Sequence, residues 1–161
     1  MCLVLYIGLN GESPLIAPQD FSAIDSEDPS WPLQVAPFSV EDFGYEALAV
    51  KKHFATKFVR YAGSFEGCGC GFNACHVNEW EEPVAPDAKA LAGRVSRGRL
   101  LEYVKQYKVN QIYACWSCDE ALPPTEHLEI SPEKIIDWNF KFPERAMLHI
   151  MRSEVAASDG P

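Results

Sequence analysis

Lys57-Phe58-Val59-Arg60-Tyr61-Ala62-Gly63-Ser64-Phe65-Glu66-Gly67-Cys68-Gly69-Cys70-Gly71 is the stretch that decides the fold. Its first residues alternate loosely and stop at Gly63, which reads as a β-strand breaking into a glycine-rich loop. A second unit of this kind lies downstream, where the apolar run Gln111-Ile112-Tyr113-Ala114-Cys115-Trp116 leads into Ser117-Cys118. Between the two, Leu91, Val95, Leu101, Val104 and Tyr107 fall broadly on one side of a helical stretch that opens at Asp87 or Ser96. Gly93 and Gly98 predict a break of that stretch into two helices. Strand, helical crossover and strand favour parallel pairing with a right-handed connection. The expected fold class is therefore α/β: a single-domain mixed β-sheet with packed helices, spanning residues 1–152.

The flanking segments fit this frame. Leu3-Val4-Leu5-Tyr6-Ile7, closed by Gly8, suits a buried first strand. Five prolines between Pro14 and Pro37 mark an irregular excursion, with a short strand near Leu15-Ile16. That excursion reads as a surface loop or as a lid over a site. Val40, Phe43, Ala47, Val50 and Phe54 step by the helical period, with Ser39 as the cap and Lys51 and Lys52 near the end. Ser131-Pro132-Glu133 opens a short helix. Arg145 to Met151 reads as the last strand, with Ala146, Leu148 and Ile150 on one face. Residues 153–161 read as a frayed tail.

Bulk composition narrows the function classes. The 161 residues are 47% hydrophobic and 23% charged, a globular composition with enough chain for a core. Formal net charge is −9, and the first fifty residues hold eight acids (Glu12, Asp20, Asp25, Glu27, Asp28, Glu41, Asp42, Glu46) and no Lys or Arg. Such a surface repels phosphate backbones and anionic lipid, so neither nucleic acid nor membrane is an expected partner; a metal or small molecule is. No apolar run approaches the roughly 20 residues of a membrane span, and Cys2 to Ile7 is too short and lacks the basic flank of a secretory signal. A cytoplasmic location follows as the expectation, with the cysteines reduced or metal-bound rather than paired.

Five of the six cysteines lie in the two loops, Cys68-Gly69-Cys70-Gly71-Phe72-Asn73-Ala74-Cys75-His76 and Cys115-Trp116-Ser117-Cys118. If the two strands run parallel, both loops leave carboxyl ends, the edge where open α/β sheets bind ligands. One reading is a zinc site: Cys115 and Cys118 form a knuckle, and Cys68 and Cys70, or Cys75 and His76, complete a tetrahedral shell. The same edge offers a small anion or other ligand Glu66, Gly67, Gly69, Gly71 and Trp116, with free amides between the glycines and Arg94, Arg97 or Arg99 nearby. Those arginines read equally well as a solvated helix face.

Two enzymatic readings stand beside these. Cys-Trp-Ser-Cys has dithiol spacing, although Asp119-Glu120 and Pro123-Pro124 replace the helix that would activate a redox thiol. Met1-Cys2 resembles the start of N-terminal-nucleophile amidohydrolases, in which the exposed cysteine attacks. In a related arrangement Cys68, Cys70 or Cys75 is the nucleophile and His76 or His127 the base. Against all of these stands plain packing, since free cysteine is among the most buried residue types; Cys2 and Cys115, inside apolar strands, read first as core. The segments Gly63 to Phe72 and Tyr113-Ala114-Cys115-Trp116-Ser117, after Met1-Cys2-Leu3, resemble a family of small uncharacterised bacterial proteins. That resemblance implies a bacterial, single-domain, intracellular protein and carries no activity.

Overall fold

β1 (Leu3–Leu9), buried along its whole length, is a central strand of the sheet. The computed structural model of the chain describes residues 2–42, 48–74 and 88–152. In it β1 is flanked on both sides by antiparallel neighbours, β3 (Phe58–Ser64) and β4 (Gln111–Trp116). With β2 (Phe38–Glu41), β5 (Glu126–Ile130) and β6 (Ala146–Ile150) they form a six-stranded sheet in the order β2-β3-β1-β4-β6-β5. The β5–β6 pair is parallel and the other pairings are antiparallel. The expected α/β class with a mixed sheet is the observed one.

Side chains alternate across the sheet with the period of the pleat. Leu3, Leu5, Ile7 and Leu9 join Val40, Ala62, Ile112, Ala114 and Leu148 on one face. Helix α2 (Ala88–Gln106) covers that face through Leu100, Tyr103 and Val104. Val4, Tyr6, Val59, Tyr113, Cys115 and Met147 point the other way, against Val50 of the short helix α1 (Leu48–Lys51) and Phe54.

Several expectations are corrected. The strands at 58–64 and 111–116 run in the same direction, but they are not paired: β1 lies between them. Ser39 and Val40 do not open a helix. They belong to β2, with Ser39 opposite Gly63 and Val40 bridging to Ile16, because pairing along the outer edge of β3 overrides a local helical period. Phe43 and Ala47 of that pattern lie outside the described residues. Helix α2 runs unbroken through Gly93 and Gly98, since packing of a whole helical face outweighs about 1 kcal/mol per glycine. Its buried stripe is Ala90, Gly93, Arg97, Leu100 and Val104, while Leu91 and Val95, expected inside, are 38% and 48% exposed. Ser131 does stand at a helix start, a 3-10 turn over Pro132–Ile136, but its side chain makes no capping bond. The polar strand β5 had no expectation. No helix among the described residues is long and apolar enough to cross a membrane.

Candidate metal centre

The loop after β3 is bent tightly back on the strand. Gly67 has φ 72, a conformation that costs glycine nothing, and its amide donates to the Ser64 carbonyl at 2.8 Å. The Tyr61 hydroxyl donates to the Gly67 carbonyl at 3.0 Å. The amide and hydroxyl of Ser64 both donate to the Cys68 carbonyl, at 3.0 and 2.5 Å. Cys68 is thereby clamped against the end of β3. The chain then makes a 3-10 turn, Gly69–Asn73, across the start of β1. A Cβ on Gly69 would stand 3.0 Å from the Leu3 carbonyl oxygen, so glycine spares the two backbones a shift of a few tenths of an ångström.

β1 begins before its pairing with β3 does, since Leu5 opposite Ala62 starts that register while Leu3 is already paired with Trp116 of β4. On the β3 side the Leu3 amide therefore has no strand to bond. It donates to Cys70 Sγ at 3.2 Å instead. On the β4 side, the Ser117 amide donates to the Cys2 carbonyl at 2.8 Å and fixes the first turn of chain. Because β1 is antiparallel to β3, its first residues lie where β3 ends. The sulfurs of Cys2, Cys68 and Cys70 consequently lie within 4.8 Å of one another, and these thiols are free.

A buried cation anchors the base of this loop. The Arg97 guanidinium, 1% exposed, donates to the carbonyls of Phe72, Asp137 (2.9 Å) and Phe140 (2.5 Å). It ties the Gly69–Asn73 turn to α2 and to the segment at 137–140. The expected solvated arginine face holds for Arg94 and Arg99, which are exposed, and not for Arg97. Burial against the apolar stripe of α2 is stable here because each nitrogen of the planar fork donates to a carbonyl.

Chemically the cluster is three soft donors with one side open. Cys68 and Cys70 are half-buried and Cys2 is exposed. A tetrahedral zinc ion with Zn–S bonds of about 2.3 Å holds its sulfurs roughly 3.8 Å apart, so the group needs to close by at most about one ångström. Burial pushes the Cys68 thiol well above its ordinary range, against the lowering effect of the Cys70 amide. Tyr61 is pushed up as well, by burial and then by Cys68 and Glu41. A thiol held protonated in this way is a poor nucleophile but an adequate ligand once a metal displaces its proton.

The other expected site residues are distributed as follows. Cys115 is fully buried on the face opposite α2, and burial, with Glu120 and Asp119, pushes its thiol up to about 12. Cys118 is exposed at φ 84, with its sulfur 3.9 Å from the Ser117 hydroxyl. Neither belongs to a group of three or more metal-ligating side chains among the described residues. Cys75 and His76 lie outside the described residues. Glu66 forms an ion pair with Lys89 at 2.9 Å. Gly71 is buried in the 3-10 turn, and Trp116 packs at the margin of the main core. The Gly67 amide, expected to face an anion, is already bonded within the loop. The dithiol segment enters a turn, not a helix, and the described strands form one six-stranded sheet, unlike the four-layer fold of N-terminal-nucleophile hydrolases.

Sequence reasoning left Cys2 with the core or as a nucleophile. The signal that would have found it is the length of the first apolar run: a strand apolar at every position is covered on both faces and belongs mid-sheet, with a neighbour on either side. No protein-family model, no curated protein and no solved structure matches the chain.

Proposed function

We propose that the chain binds a thiophilic metal ion, zinc in the first instance, through Cys2, Cys68 and Cys70. The observation behind this reading is the convergence of three free sulfurs within 4.8 Å from two separate segments. Thiolates select zinc and copper(I) over magnesium or calcium, and a zinc ion with three protein ligands keeps its fourth position for water or a small ligand. The exposed Cys2 side of the cluster is where that position would open. Reduced thiols are a condition of such binding, which fits a reducing compartment such as the cytoplasm.

Titration with Co2+ as a zinc surrogate, on protein purified under reduction, tests the reading. One equivalent should produce a thiolate-to-metal absorption band that zinc bleaches. Cys70→Ser and Cys68→Ser should abolish the band, and Cys118→Ser should leave it intact. A band that survives both loop substitutions, or none at all, would overturn the assignment.

A further inference from the structure

At the other end of the sheet, far from the cysteines, two imidazoles are placed together by strand pairing. His127 Nδ1 lies 3.0 Å from His149 Nε2, and the rings are nearly parallel, with centroids 5.3 Å apart and planes at 23°. β4 and β6 are antiparallel, with Gln111 opposite His149, so this pair sits at the edge where β4 begins, whereas the cysteines sit where it ends.

The backbone sets the arrangement. In the parallel β5–β6 pair His127 is opposite Met147 and Glu129 is opposite His149. Met147 is buried on the face away from α2, so His127, Glu129 and His149 all project on that same face. Leu128, between the two polar residues, is opposite Leu148 on the α2 side. Two imidazoles, donors of a kind that suits zinc or nickel, are thus carried by adjacent strands and not by a loop, and Glu129 shares their face without closing a three-donor group with them. Two nitrogen ligands of a tetrahedral ion, each about 2.1 Å from it, stand roughly 3.4 Å apart, a few tenths of an ångström more than the 3.0 Å already present. In the metal-free pair one ring donates its N–H to the other. For both to ligate, that ring moves its proton to its far nitrogen and the two rings turn so that their lone pairs converge on the ion.

We infer that His127 and His149 form a second site, a two-imidazole chelate for a divalent transition-metal ion of the zinc–nickel class whose remaining positions are taken by water. It uses no residue of the cysteine centre and stands whether or not that centre binds metal.

The test is a Zn2+ titration of the full chain, followed by histidine ring nitrogen spectra and by the thiolate band of the Co2+ experiment. Expected is a joint shift of His127 Nδ1 and His149 Nε2, saturating at one ion per site, with His53 unmoved. His127→Gln and His149→Gln should each weaken this event at least about tenfold, the lower bound for loss of even a supporting group at a metal site. Cys68→Ser should remove the thiolate band and leave the histidine shifts in place, so failure of one site is distinguishable from failure of the other. These substitutions replace side chains at a polar sheet edge, and unchanged circular dichroism checks that each variant is folded. Rings that stay unshifted in excess Zn2+, a shift of one ring alone, or equal affinity in both glutamine variants and the unsubstituted chain would overturn the inference.

Discussion

The loops after β3 and β4 look alike in sequence and behave as opposites in the fold. Each follows a strand, the strands run in the same direction, and each region carries a closely spaced cysteine pair, Cys68/Cys70 and Cys115/Cys118. After β3, Gly67 and Gly69 let the chain double back over the start of β1, and Cys68 and Cys70 join Cys2. After β4, Cys115 is still inside the strand with its side chain in the core, and Cys118 lies in the turn beyond, exposed to solvent. Cysteine spacing alone does not make a chelate. What makes one is a backbone path that returns both sulfurs to the same side of the sheet edge, and only the glycine-rich loop has it.

The contrast should break most visibly at Arg97, which anchors the first loop through three backbone carbonyls, whereas behind the second Arg145 donates to one, that of Pro123. Arg97→Met keeps much of the volume and removes the donors. At about 1 kcal/mol for each hydrogen bond lost, the three bonds to backbone carbonyls make the expected loss about 3 kcal/mol. That is a large share of the roughly 5–15 kcal/mol that holds a domain together. Urea denaturation measures it, and the same variant should weaken Co2+ binding, because Cys70 rides on the segment that Arg97 fastens. An Arg97→Met variant within 1 kcal/mol of wild type, about the worth of one of the three hydrogen bonds, would mean that the loop is held by its own glycine turn, and that the anchoring argument is wrong.

The edge itself was legible in the sequence, because a strand that ends in a cysteine loop can be recognised from local pattern. The insertion of β1 between the two strands was not, since strand order is set by pairing between residues far apart in the chain, and with it went the role of Cys2. β2 was hidden by a helical period at Val40, Val50 and Phe54 that edge pairing overrode. β5 was hidden because an edge strand exposed at Glu126, His127 and Glu129 lacks the alternation that marks half-buried strands. Arg97 had a readable signal that charge obscured. It sits in register with Ala90, Gly93, Leu100 and Val104, a stripe that is apolar at every other position.

The second loop makes a kinetic test of the same comparison. Only the thiolate alkylates, so burial that lifts the Cys115 thiol from its ordinary 9.0 to about 12 leaves roughly one molecule in a thousand reactive at pH 9. With iodoacetamide at pH 7 to 9 and peptide mass spectrometry, Cys118 should be modified long before Cys115, whose labelling should await denaturation. The same shift has a consequence for stability, with the sign set by the neutral form being the one favoured in the fold. Its contribution is complete below pH 9 and is lost as pH rises toward 12. A protein that unfolds no more readily at pH 11 than at pH 8, or a Cys115 as reactive as Cys118, would show that β4 opens freely at this end.

The smallest effect is expected at Cys118, and its direction is informative. A non-glycine residue at φ 84 is held in a region that costs on the order of 1 kcal/mol, and no metal-ligating group among the described residues includes this sulfur. Cys118→Gly relieves that backbone strain, while the greater freedom of glycine in the unfolded chain takes back part of the gain. The net change should be a stabilisation below about 1 kcal/mol, seen as a small rise in Tm, with the Co2+ titration unchanged. Cys118→Ala removes the same sulfur without relieving the strain, so it separates the two causes and should leave stability nearly as it was. If the glycine variant is instead less stable than the alanine variant, the turn after β4 does not hold the strained conformation. If either variant loses metal, the second loop reaches the cluster after all, and the two loops are halves of one site.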